Sequence, residues 1–200
     1  MRVAVLDYAV GNLFSITAAL RRLGADAEVT PLGPGLEEAD AIVLPGVGSF
    51  PAAMGRLGPA ASMLREAASE KPVLGICLGM QLFFEESIEG GPPTRGLGLL
   101  PGRVVELPAG VKRPHMGWNT VWPVGEPALL EGVEPGSYFY FVHSYYAETR
   151  GPHVAGYTEY GVRFPSLVES PPLYGTQFHP EKSGRKGMLV LRNFLREAKR

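Results

Sequence analysis

One cysteine in 200 residues excludes an intramolecular disulfide and fits a reducing cytoplasm. No apolar run approaches the ~18 residues that a membrane span requires. There is no Lys/Arg-rich block, and the formal net charge is −1, so bulk electrostatics makes no case for nucleic acid or a membrane surface as partner. The opening "MRVAVLDYAVGN" lacks the long apolar core and small-residue cleavage site of a signal peptide and reads as a first strand. Repeats and low-complexity segments are missing. Asn and Gln are scarce, while Pro is frequent and Arg outnumbers Lys, a bias of thermophiles and equally of GC-rich genomes.

What is present is an ordinary globular composition, 45% apolar and 20% charged, in a chain long enough for one domain, residues 1–200, with a sizeable core. The first half alternates β-branched runs with helical periods. "RVAVLD" (2–7) reads as a buried strand, and Leu13, Ile16, Leu20 and Leu23 recur as one helical stripe ended by Gly24. "AEVT", "AIVL" and "KPVLGIC" are further strands, with a helix expected from about Ala52 to Ser69. Such alternation predicts an α/β fold: an open, mostly parallel sheet with helices on both faces. From Val104 to Phe178 strand-like runs follow one another without a long helical period, which predicts an antiparallel extension. Met188, Leu191, Phe194, Leu195 and Ala198 mark one face of a last helix.

The single cysteine lies in "LGICLGMQLFF" (74–84), where a strand stops and a helix is expected to begin. Ligands of open α/β sheets collect beyond the carboxyl ends of strands. Gly75-x-Cys77-x-Gly79 has the spacing of a nucleophile elbow with Cys in place of Ser. A helix start beneath the sulfur presents free N–H groups and a positive dipole end, which favour a thiolate and suit an oxyanion. Gln81, four residues on, faces the same side of that helix and is placed to meet a polar substrate. A buried structural thiol is the competing reading.

A thiol nucleophile needs a base. Of four histidines only His179 has a carboxylate two residues on, in "YGTQFHPEKS". Residues i and i+2 of an extended segment share a face, so Glu181 is placed to orient the imidazole. The pairing requires that "LYGTQF" lie beside "KPVLGIC" in the sheet; otherwise His-Pro-Glu is a surface loop. His143, in "YFVHSYY", is the rival base, and His115 and His153 read as packing or surface residues. A second glycine loop, "LPGVGSF" (44–50), lacks the Walker lysine and a full G-x-G-x-x-G, and is suited instead to offer a backbone N–H to an oxyanion, if it is more than a strand-to-helix turn. The His and Cys residues lack zinc-site spacing, so no metal and no other cofactor is expected.

"PGVGSF", "GICLGMQ" and "HPEKS", in this order, resemble the class I glutamine amidotransferases. That resemblance implies glutamine as substrate, Cys77 as nucleophile, His179 as general acid/base and Glu181 as its orienting partner. It also implies oxyanion donors from Val47, Gly48 and Leu78, and contacts to glutamine from Gly48, Gln81, Ser144 and Tyr145. "LDYAVGNLFS", "HMGWN" (115–119), "YFVHSYY" (140–146) and "QFHPEKS" narrow the match over essentially the whole chain to the glutaminase subunits of imidazole glycerol phosphate synthases. These work with a (β/α)₈-barrel cyclase subunit, so a heterodimer is implied, with Asn12, Trp118 and Lys182 at its interface. The plain alternatives for those three are a helix cap, a half-buried aromatic and a solvated lysine. Ala9 stands where that family usually has Gly. An amidotransferase serving another synthase, a Cys-dependent hydrolase of related fold and a non-catalytic binding subunit remain alternatives.

Overall fold

The computed structural model describes residues 1–8 and 13–200; Ala9 and Asn12 lie outside the described residues. The first half runs β1 (Arg2–Asp7), α1 (Leu13–Arg22), β2 (Asp26–Pro31), β3 (Ala41–Leu44), α2 (Phe50–Leu57), α3 (Ala61–Glu70), β4 (Val73–Ile76) and α4 (Leu78–Gln81). The second half adds β5 (Glu86–Ser87), β6 (Thr94–Arg95), β7 (Arg103–Glu106), β8 (His115–Pro123), β9 (Ser137–His143), β10 (Tyr145–Glu148), β11 (Val154–Glu159), β12 (Arg163–Ser170), β13 (Leu173–Thr176) and α5 (Gly184–Glu197).

The main sheet has the order β2-β1-β3-β4-β13-β12-β11-β8-β9. Its first five strands are parallel and the last four antiparallel, so the expected extension is nearly as wide as the parallel part. A smaller sheet, β10-β7-β5-β6, packs beside it. Strand alternation divides the core. Val3 and Val5 of β1 face one side with Ile16 and Leu20 of α1 and Leu191 and Phe194 of α5. Ala4 and Leu6 face the other with Phe50 of α2 and Leu64 of α3. Fully burying one such Leu, Ile or Phe is worth about 1.5–3 kcal/mol, which is why both sheet faces demand a helical cover. Among the described residues no helix is long and apolar enough to cross a membrane.

Two expected helices differ from the structure. The segment 52–69 is not continuous: Gly58, at φ +44°, with Pro59 behind it, divides α2 from α3. The helix expected after Cys77 stops after one turn. Leu97 donates to the Leu82 carbonyl, Leu99 and Leu100 to that of Phe83, and Gly98 to that of Phe84. Segment 97–100 thus takes up carbonyls that a longer helix would leave to its own later N–H groups.

Candidate active site

β13 pairs with β4 in parallel, Thr176 beside Ile76, and the Cys77 N–H donates to the Thr176 carbonyl at 2.7 Å. "LYGTQF" is therefore the neighbour of "KPVLGIC", as the pairing of His179 with Cys77 requires. Cys77 turns the chain at φ +55°, ψ −109°, alone in positive φ among the described non-glycine residues. Holding an L-residue there stores on the order of 1–3 kcal/mol of strain, which the surrounding packing must over-determine. The two flanking glycines show how. A Cβ on Gly79 would lie 1.7 Å from the Leu44 carbonyl oxygen, and one on Gly75 would lie 2.7 Å from the Gly79 oxygen and from the Met80 backbone. β3, β4 and the elbow interlock through bare backbone.

Gly79→Ala is therefore expected to destabilise by about 3 kcal/mol or more, lowering the melting temperature by roughly 6–12 °C. Gly55→Ala, in α2 with open space at its Cβ, is the control and should hold or raise stability. Calorimetry on the two variants checks the contrast.

Around the sulfur, Gln177 donates to Cys77 Sγ at 3.6 Å, and Sγ donates to the Val142 carbonyl at 3.6 Å. Gln81 is buried, and its amide nitrogen donates to the Tyr145 carbonyl at 2.7 Å and to Gln177 Oε1 at 3.0 Å. Tyr8, from the N-terminal motif, is buried close by and its hydroxyl donates to the Pro45 carbonyl. Burial raises its pKa, and the charge of Cys77 adds to the effect. With α4 reduced to four residues, a summed helix dipole contributes little beneath the sulfur; what remains is the local N–H groups of one turn.

His179 Nδ1 donates to Glu181 Oε1 at 2.9 Å, with both side chains at most 4% exposed. Ser183 fixes the backbone there: its hydroxyl donates to the His179 carbonyl at 2.6 Å and accepts from the Tyr140 N–H. His179 Nε2 and Glu181 Oε2 are buried without hydrogen-bond partners. Burial opposes the imidazolium, but the Cys77 charge, with Glu181 behind it, outweighs that and pushes the His179 pKa up to about 10. His143, the rival base, has both nitrogens occupied by His115 and the Tyr145 carbonyl, and burial lowers its pKa to about 3.

A cavity of about 270 Å³ opens on the sulfur. Val47, Gly48, Leu78, Gln81, Ser144 and Tyr145 all line it with Cys77, so the residues expected from loops 44–50 and 140–146 meet at the elbow. His179 and Glu181 are not in the lining and sit buried. Glu89 also lines the cavity, its carboxylate accepting the Phe50 N–H at 2.8 Å, and Gln177 touches the sulfur. Sequence reading missed both. Gln177 lies in the quoted "TQFHPE" but becomes visible only through strand register, and nothing in "SIEGGPP" distinguishes Glu89. A larger hollow, about 600 Å³ beside α5, is lined by Glu131, Arg192, Arg196 and Lys199 and holds no nucleophile. Elsewhere, Trp118 is 55% exposed, its ring 6.1 Å from that of Tyr140, and Lys182 Nζ lies 5.9 Å over the Tyr140 ring. Two of the three expected interface residues thus share one face; Asn12 lies outside the described residues.

Residues 4–198 match the family model described as glutamine amidotransferase class-I. The imidazole glycerol phosphate synthase subunit HisH of Methanothermobacter thermautotrophicus is 52% identical over 194 residues, spanning 96% of this chain and 97% of that protein. The subunit of the same name from Archaeoglobus fulgidus is 48% identical over 201 residues, 99% of this chain and 100% of its own length. Among solved structures, PurLQS from Thermotoga maritima superposes with a TM-score of 0.78 at 21% identity over 98% of this chain and 97% of that one, a likeness of fold. The chain belongs to the class I glutamine amidotransferase family, in its branch of imidazole glycerol phosphate synthase HisH subunits.

Proposed function

We propose that this protein is the glutaminase subunit of an imidazole glycerol phosphate synthase. It hydrolyses glutamine to glutamate and ammonia and hands the ammonia to a cyclase subunit, which makes imidazole glycerol phosphate and an aminoimidazole carboxamide ribonucleotide in histidine biosynthesis. The observation that carries this reading is the strained Cys77 elbow beside a buried His179–Glu181 pair just beyond the end of the adjacent parallel strand.

Glutamine enters the 270 Å³ cavity with its side-chain amide at the sulfur. The Glu89 carboxylate suits its ammonium group, and Gly48, Gln81 and the Ser144–Tyr145 segment frame the rest. The Cys77 thiolate attacks the amide carbon, and the oxyanion settles on N–H groups of Leu78 and the Val47–Gly48 loop. As the C–N bond breaks, His179 gives its Nε2 proton to the departing nitrogen, leaving ammonia and a glutamyl thioester. Water then attacks the thioester, His179 Nε2 takes the water proton, and the C–S bond breaks to release glutamate. Glu181 holds the imidazole ring and balances its charge without being protonated.

Free ammonia would be lost to water as ammonium at neutral pH, so delivery calls for a closed path into the partner and for activity gated by it. The surface we assign to the cyclase is the patch where exposed Trp118 and Lys182 flank half-buried Tyr140. A single free thiol accords with a cytoplasmic setting. The test is ammonia release from glutamine by the chain alone, with the cyclase, and with the cyclase and its ligand. The full complex is expected to be faster than the isolated chain by on the order of tenfold or more. Equal activity in all three mixtures contradicts the gating, and no release in any of them contradicts the function.

A further inference from the structure

We infer that His143 is a positioning residue of the glutamine site, locked in one tautomer by His115 and Asn119 so that it pins the Tyr145 carbonyl against Gln81. This rests on the reading of the cavity as a glutamine site. β8 and β9 pair antiparallel with His115 opposite His143, which places two buried histidines from distant parts of the chain in contact.

The proton positions follow from the partners. His143 Nδ1 lies 2.9 Å from the Tyr145 carbonyl, which only accepts, so Nδ1 carries the hydrogen. Burial lowers the pKa of His143 to about 3 and of His115 to about 4, so both rings are neutral near pH 7. His143 Nε2 is then a lone pair and accepts from His115 Nδ1 at 3.0 Å. His115 Nε2 in turn accepts from Asn119 Nδ2 at 3.2 Å. Asn119 has no freedom to flip, because Oδ1 accepts the Thr120 N–H at 2.7 Å and Nδ2 also donates to the Glu159 carbonyl at 2.9 Å. The His115 ring is stacked between Tyr160, at 4.0 Å, and Phe141, at 4.9 Å, and cannot swing away.

At the far end the Tyr145 carbonyl accepts both His143 Nδ1–H and the Gln81 amide, filling its two lone pairs. The same Gln81 nitrogen bonds Gln177, which donates to Cys77 Sγ. An unbroken set of hydrogen bonds thus joins Asn119, next to the exposed Trp118, to the wall of the cavity and its sulfur. His143 lines the cavity too, and its two ring nitrogens bond His115 and the Tyr145 carbonyl rather than Cys77 or His179. Its loss should loosen Tyr145 and Gln81, weakening the hold on glutamine while leaving the Cys77–His179 chemistry in place.

The test uses the cyclase complex and the variants His143→Leu, His143→Gln and His143→Asn, because Asn places an N–H where Nδ1 stood and Gln does not. His143→Leu and His143→Gln are expected to raise KM for glutamine about tenfold, with kcat within about threefold of wild type. His143→Asn should recover KM to within about threefold, and ammonia-dependent synthesis should be unchanged in all three. An unaltered KM in His143→Leu, or equal impairment in His143→Asn and His143→Gln, overturns the proposal. If His143→Leu does not fold, nitrogen NMR of the wild-type histidines decides: a hydrogen on Nδ1 of His143 and of His115 supports it, and one on Nε2 of His143 overturns it. A wild-type complex that releases no ammonia from glutamine would refute the glutaminase reading itself, a result distinct from all of these.

Discussion

Replacing Cys77 with alanine should lower ammonia release from glutamine by at least about 10⁴-fold, because Cys77 is the one thiol in the chain that can form the glutamyl thioester. The same variant complex should still make the cyclase products when ammonium is supplied, since only ammonia production is lost. The elbow geometry also predicts a stability difference. Alanine at φ +55° retains the strain of the native residue, whereas glycine adopts that conformation freely. Cys77→Gly should therefore melt above Cys77→Ala, both being inactive. Parallel assays with glutamine and with ammonium, and calorimetry of the two variants, check both halves.

His179→Asn should reduce kcat by about 10³- to 10⁴-fold, since it removes the proton donor to the leaving nitrogen and the base for the water step. The resting pair also has a pH signature. The His179 pKa stands at about 10, above its ordinary value of 6.5. A group whose folded pKa is raised contributes stability that is fully present below about 6.5 and is lost as pH rises through about 10. Because the Cys77 charge is the largest of the raising causes, Cys77→Ala should move the titration downward. Histidine NMR on wild type and variant reads the shift, and an unmoved His179 titration would break the proposed coupling.

Much of this architecture is legible in local pattern. Val3 and Val5 against Ala4 and Leu6 announce a strand buried on both faces, and Gly75-x-Cys77-x-Gly79 announces the turn whose backbone contacts exclude a side chain. His179 and Glu181 pair as expected, at 2.9 Å, but through a 3₁₀ turn over Pro180–Lys182 rather than the extended alternation the sequence suggested. What is not legible depends on partners distant in the chain. α4 ends after one turn, and residues 97–100 occupy the carbonyls of Leu82, Phe83 and Phe84 just beyond it; no feature of "LGMQLFF" reports that. Gln177 reaches the sulfur through the register of β13 on β4, and His115 meets His143 through that of β8 on β9. A sequence pattern can indicate that β8 and β9 are strands without indicating which residues face one another. His115 therefore reads as packing until the pairing is known.

The most direct measurement follows one nitrogen atom. The wild-type complex is given glutamine labelled with nitrogen-15 at the side-chain amide, in a pool of unlabelled ammonium, and the label is counted in the imidazole ring of the product. Imidazole carrying predominantly the glutamine nitrogen, with the label lost in Cys77→Ala, is the expected result. Product whose nitrogen matches the bulk ammonium pool in the wild-type complex would contradict both the origin of the ammonia at Cys77 and its enclosed passage to the cyclase.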